Sequence, residues 1–323
     1  MVVSRIRREY KDARALTLSR AFQGAPCRRG SRRKTKMHRR FYAIAPQIAP
    51  RFAPLAAAAV ALSLTLAPSP GAAQDDGSTS LYKYDNGGVY EGEFKDGKQH
   101  GQGTFRLPDG YEYEGEWVEG RIEGQGRAKY ANGSIYEGAF KDGAPDGQGT
   151  IKYADGGEYT GGWAGGVING DGVARYANGI VYEGQFLDGA HHGKGKLRAP
   201  NGYEYDGDWV NGLMEGKGTA TYPDGAVYEG DFVQGEREGA GSLKFPDGFT
   251  FVGSWKNGEI HGEGKATYAN GDVYEGSFRE GKRHGFGVMQ YATGAEYRGY
   301  WVKGRRGTKE EAEEALQEGE QQQ

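Results

Sequence analysis

Ten times, at a fixed spacing of 23 residues, the chain places an aromatic residue, a glycine two positions on, and a second aromatic two positions further. The first ring falls at Tyr90, Tyr113, Tyr136, Tyr159, Tyr182, Tyr205, Tyr228, Phe251, Tyr274 and Tyr297. The second falls at Phe94, Trp117, Phe140, Trp163, Phe186, Trp209, Phe232, Trp255, Phe278 and Trp301. A constant period of this length marks a stacked repeat architecture, in which each unit buries its apolar face only against its neighbours. The length of 323 residues therefore implies one array over 81–304 rather than two globular domains.

The composition supports an ordered array. Glycine contributes 58 residues, interleaved in phase with 22 Tyr, 13 Phe and 5 Trp, which is not the pattern of a flexible linker. Cys27 is the single cysteine and precedes the array, so no disulfide or cysteine–metal framework holds it. The formal charge of −3 conceals an asymmetry. Fifteen Lys and Arg precede Gln74 beside only Glu9 and Asp12, whereas 26 basic residues face 42 acidic ones from Gln74 onward, a net −16. A body of that charge argues against nucleic acid and anionic lipid as partners.

The leader, 1–73, has the layout of an export signal. Met37-His38-Arg39-Arg40 opens a basic stretch, 55–66 is an apolar run of 12 residues, and Gly71-Ala72-Ala73 is a small-residue cleavage site. The run is shorter than the ~20 residues of a membrane-spanning helix. Cleavage is expected after Ala73, with Met37 an alternative start and an uncleaved membrane anchor the rival reading. Residues 74–80 read as a linker and 305–323 as an acidic flexible tail or short helix. Localisation is expected to be periplasmic or secreted.

Within one unit, Tyr90 to Phe94 alternates as a strand does, Lys95–His100 reads as a polar loop, and Gly101–Leu107 alternates again. Asn-Gly or Asp-Gly pairs at Asn86, Asn132, Asp155, Asn178, Asn201, Asp224, Asp247 and Asn270 are the expected hairpin turns. The fold class is all-β: an elongated, single, twisted antiparallel sheet, a meander of hairpins with about two strands per repeat. At ~4.8 Å per strand, roughly 20 strands extend on the order of 95 Å. One face carries the rings and glycines. The other alternates acid with base, as where Glu114 and Glu116 meet Arg127 and Lys129, and reads as a solvated surface.

A second period lies over the first. Phe and Trp alternate at the second ring. Phe units carry Phe105, Ile151, Leu197, Leu243 and Met289 at a core position where Trp units carry Ala128, Ala174, Ala220 and Ala266. Large ring with small partner keeps the layer volume constant, so the repeating unit is a 46-residue pair. Ile122, Ile168, Met214 and Ile260 in Trp units, against Gln99, Pro145 and His191 in Phe units, predict loop edges of alternating apolar and polar knobs. Deleting 46 residues in register is expected to be tolerated better than deleting 23.

The tandem unit Tyr-Glu-Gly-x-Phe/Trp-x-x-Gly-x-x-x-Gly-x-Gly closely resembles the MORN (membrane occupation and recognition nexus) repeat, including those of exported bacterial proteins. The resemblance implies a non-enzymatic structural or protein-interaction scaffold that often self-associates. Phospholipid binding has been attributed to the family.

No catalytic set is visible. The recurring Gly-x-Gly lacks the third glycine and the Lys-Ser/Thr of a phosphate loop, and the array has no Cys and few Ser. No cofactor is expected. His100, His192, His261 and His284 share one phase as solvated loop residues, and His191 with His192 is the metal candidate. The leading reading is a scaffold of the cell envelope. Its partner, a protein or a second copy in a homodimer, would meet the rings listed above: Tyr90, Phe94, Tyr113, Trp117, Tyr136, Phe140, Tyr159, Trp163, Tyr182, Phe186, Tyr205, Trp209, Tyr228, Phe232, Trp255, Tyr274, Phe278, Tyr297 and Trp301. The alternatives are a peripheral phospholipid-binding module and a glycan-binding module stacking sugars on those rings.

Overall fold

The structure, a computed structural model, describes residues 79–320. The leader readings therefore lie outside the described residues. One open sheet of 21 strands runs from β1 (Ser80–Lys83) to β21 (Arg305–Gly307). Every strand pairs antiparallel with its neighbours in sequence, so the sheet is a pure meander with two strands per 23-residue unit.

The strands alternate between seven and nine residues, and this difference organises the unit. In the first full hairpin, β2 (Val89–Lys95) pairs with β3 (Lys98–Arg106), with Gly92 opposite Gly103 but Phe94 opposite Gln99. Two extra residues of β3 are thus absorbed in a bulge, where Gly101 takes φ 62°. The turn closing this hairpin is Asp96–Gly97, both at positive φ, as a two-residue primed turn requires. The expected loop over Lys95–His100 is therefore mostly strand, and the tightest turn is here. The Asn-Gly and Asp-Gly sites instead close longer connections, in which Asn86 Oδ1 accepts from the Gly88 amide at 2.9 Å.

The other glycines answer to close approach. A Cβ built at Gly103 would lie 2.5 Å from Cζ of Tyr90, and one at Gly92 2.5 Å from the Gly103 Cα. The Tyr ring thus lies across the backbone of its own hairpin, as the ring–glycine pattern implies.

At its C-terminal end the chain leaves the sheet through a capping box. The Glu311 amide donates to Thr308 Oγ1 at 3.2 Å, and the Thr308 amide donates to Glu311 Oε2 at 3.0 Å. Helix α1 (Lys309–Glu320) follows and buries Ala312.

Candidate functional site

The first rings are not an open contact face. Tyr90, Tyr113, Tyr136, Tyr159, Tyr182, Tyr205, Tyr228, Phe251 and Tyr274 are all 0% exposed. The tryptophans are 5% exposed or less, and only Phe94 and Tyr297, at the two ends, are partly open. The expectation that a partner lies on these rings is corrected by their packing, because the chain covers them itself. Each Tyr hydroxyl donates to the carbonyl three residues on, as Tyr90 to Glu93 at 3.0 Å and Tyr205 to Asp208 at 3.0 Å. That carbonyl sits at the bulge, so the bond ties the ring flat along the strand. The next repeat's ring then stands edge-on against it, Trp117 at 5.1 Å and 81° from Tyr90, Phe140 at 5.1 Å and 83° from Tyr113. Burial pushes these phenols well above their ordinary pKa, so they remain donors.

The bulge also corrects the reading of the loop knobs. The knob series falls directly opposite the second rings, Ile122 opposite Trp117 and His191 opposite Phe186, and turns into the core. In Phe units this stripe is polar except at Pro145, buried at His191 and Arg237 and half-buried at Gln99 and Arg283. His191 is 3% exposed, stacks on Tyr182 at 3.6 Å and pairs its Nε2 with the Tyr176 hydroxyl at 2.7 Å. Burial lowers its pKa to about 3. Arg237, buried, donates from Nη2 to the Gly258 carbonyl, with its guanidinium 4.5 Å from the Trp255 ring centre. Arg283 repeats the arrangement, with Nη2 3.0 Å from the Gly304 carbonyl and the guanidinium 3.9 Å from the Trp301 ring centre. The sequence signal was present, a polar series at one phase, but the bulge that turns it inward was not recognised.

The metal candidate dissolves for the same reason. His191 and His192 are adjacent in one strand (Ala190–Arg198), so their side chains leave from opposite faces of the sheet. Among the described residues no three His, Cys, Asp or Glu side chains are grouped to hold a metal ion. The shared phase of His100, His192, His261 and His284 is a turn-capping position. In other units carboxylates occupy it and accept from the turn of the next hairpin, Asp146 from the Gly165 amide at 3.0 Å and Glu238 from the Asn257 amide at 2.8 Å. His284 departs from the solvated expectation, since it is 4% exposed and its pKa is lowered by burial, with a backbone hydrogen bond to Ala312 opposing.

What remains accessible is the outer face. Arg127 meets Glu137 at 3.0 Å, Lys194 meets Asp208 at 2.6 Å and Lys217 meets Asp231 at 2.7 Å, each pair bridging neighbouring strands. An open groove of about 740 Å³ crosses this face, bordered by Thr160, Asp171, Glu183, Lys194, Lys196 and Asp206. The described part of the molecule is thus an array of bulged hairpins with an aromatic interior and a zwitterionic exterior.

That architecture defines a repeat scaffold or binding module. The MORN-repeat family model matches nine consecutive stretches between residues 90 and 296, and the chain belongs to that family, whose repeat is non-catalytic. No curated protein matches the chain. Among solved structures it is similar to the TCP10 domain of Danio rerio CPAP, at TM-score 0.36 and 12% identity over 69% of this chain and 100% of that one. The SAS-4 (dCPAP) TCP domain of Drosophila melanogaster, solved with a proline-rich motif of Ana2, gives 0.23 and 14% over 73% and 97%. A virginiamycin B lyase from Staphylococcus aureus gives 0.15 and 9% over 71% and 86%. Likenesses of this grade carry no argument about function.

Proposed function

We propose that the protein is a non-enzymatic scaffold of the cell envelope, exported by its basic leader, that holds partner proteins against the outer face of the array. The observation supporting this is the inversion of exposure: the rings are sealed inside while a periodic mixed-charge surface is left open over many units. Interspersed acid and base suit a protein surface of complementary pattern better than anionic lipid. The glycan reading loses its basis, since the rings that would stack on sugars are covered.

A photoreactive residue at exposed Thr160 in the full chain is expected to yield discrete protein adducts in cells. The double variant Lys194→Glu and Lys196→Glu, on the same groove, is expected to lose them. Absence of adducts together with salt-sensitive flotation on anionic phospholipid vesicles would replace the protein partner with a membrane. Fractionation of the same cells tests export: retention of the uncleaved chain in the cytosol overturns the envelope placement.

A further inference from the structure

One helix already sits on the sheet. α1 packs back against the last two long strands, Lys282–Gln290 and Glu296–Val302. Its buried Ala312 is hydrogen-bonded through the backbone to His284. His284 points to the outer face, and one further step of the ladder that pairs Gly285 with Trp301 sets it opposite Val302. α1 is therefore seated at the outer turn edge of the final unit. The hairpin ends there are basic, at Arg279, Lys282, Lys303 and Arg305, and α1 is acidic, with Glu310 and Glu311 in its first turn. Opposite charges match across this contact.

The position that Val302 holds recurs on the outer face of every unit. In three successive units it is Leu187, Val210 and Val233, which are 43%, 42% and 46% exposed. Val302 is less exposed than any of them. Leu213, 38% exposed and paired with Val210, widens the strip, as does Ala190 opposite Leu187. Lys256 and Arg279 then interrupt it before the last unit. These side chains leave from the face opposite the rings, so they contribute nothing to the interior.

Spacing selects the shape of an occupant. Residues one unit apart are two strands apart, ~9.6 Å. Seven residues of α-helix rise ~10.5 Å, so a helix laid across the strands meets one strip residue per heptad. An extended segment, at ~3.3 Å per residue, would meet the strip at every third residue and present alternate faces to it. Charge selects the sign. The hairpin ends 187–192, 210–215 and 233–238 carry Asp188, Glu215, Glu236 and Glu238, and their one arginine, Arg237, turns inward.

We propose that Leu187, Val210, Leu213 and Val233 form a docking strip for a basic amphipathic helix of a partner protein, with apolar residues seven apart and Lys or Arg beside them. The proposal rests on the scaffold reading and adds the chemistry of the partner. α1 is the intramolecular counterpart, with both charge signs exchanged. The acidic flanks disfavour anionic lipid and the acidic α1 of another copy.

The probe is a fluorescein-labelled peptide of three heptads, with Leu and Ala at the apolar positions and Lys and Arg elsewhere, titrated with the full chain by anisotropy. It is expected to bind at least about tenfold more tightly than a peptide of the same composition whose leucines are out of heptad register. Val210→Ser with Leu213→Ser is expected to weaken binding about tenfold, and Glu236→Lys about threefold, with melting temperatures unmoved because the three sites are exposed. Val252→Ser, at a site 62% exposed on the outer face but off the strip, is expected to leave binding unchanged. No binding of the heptad peptide overturns the proposal. So does equal binding of the two peptides, or indifference to the serine variant, since either reduces the contact to charge alone. The adducts at Thr160 are read independently, so failure of the strip and failure of the scaffold reading are distinguishable.

Discussion

A tryptophan unit and a phenylalanine unit share one backbone, yet their interiors solve different problems. Opposite its ring, the tryptophan unit places Ile122, Ile168, Met214 or Ile260, while the phenylalanine unit places Gln99, Pro145, His191, Arg237 or Arg283. In three of the phenylalanine units the polar residue looks forward to the next unit. Arg237 lies over Trp255, Arg283 over Trp301, and the His191 ring centre is 5.0 Å from that of Trp209. Tryptophan is the strongest cation acceptor among the rings, and its indole also donates backward, Trp209 Nε1 to the Gly195 carbonyl at 3.0 Å. The alternation is therefore a contact between successive units. Across the unit boundary Trp117 also lies 6.2 Å from Phe105, the large core residue of the unit before it.

The strongest way to break that contact is to change which units are neighbours. Deleting 251–273 sets Arg237 against Phe278, whereas deleting 251–296 sets it against Trp301 and restores the native pairing. The single deletion is expected to lose about 2–4 kcal/mol at the new junction through the void and the weaker ring. The double deletion should melt at or above the single one despite being shorter. Melting temperatures that simply follow the number of units would show that the pairing contributes nothing.

Acid discriminates the two unit types next. The folded pKa of His191 lies near 3, below the ~6.5 of an unfolded histidine. The folded state thus favours the neutral ring, and its stabilising contribution is complete above about pH 6.5. It declines as pH falls toward 3, because the unfolded chain takes the proton first. At pH 4.5 the loss is about 3 kcal/mol relative to pH 7. His191→Gln, which installs the residue of the first unit, is expected to flatten this part of the urea-midpoint profile. A variant as acid-sensitive as the parent would place the effect elsewhere, His284 being the other lowered histidine.

A narrower probe is a double-mutant cycle between Arg237→Met and Trp255→Phe. A coupling of about 1–2 kcal/mol is expected for a desolvated cation over an indole. Additive losses would mean that Arg237 is held without the indole, by the Gly258 carbonyl and the Tyr222 and Tyr228 side chains.

The fold was legible in the sequence because its signals are local and repeated. The ring–glycine–ring spacing gave the strand period, and Gly103 could only be a site of close approach. The site was legible less well. Asp96–Gly97 and Lys98–His100 looked like one polar loop, since hydrophilicity does not distinguish a two-residue turn plus bulged strand from a longer loop. With the bulge unseen, His191 was placed on an edge and the tyrosines on an open face. Burial here depends on ring orientation, which a hydroxyl-to-carbonyl bond fixes and composition does not reveal.

The smallest test addresses that bond directly, and the chain contains its own control. Phe251 occupies the tyrosine position without a hydroxyl, so the Ser254 carbonyl at its bulge receives no phenol. Tyr228, one unit earlier, donates to the Asp231 carbonyl at 3.0 Å. Tyr228→Phe is expected to cost about 1 kcal/mol, the usual net value of one hydrogen bond, and Phe251→Tyr to gain about 0.5–1 kcal/mol. Both read as shifts in urea midpoint at unchanged slope. Equal and opposite shifts would establish the hydroxyl as the tie that lays each ring along its hairpin. A neutral Tyr228→Phe would instead assign ring orientation to the glycine stripe and the edge-on neighbours, and the tyrosine–phenylalanine difference would carry no stability.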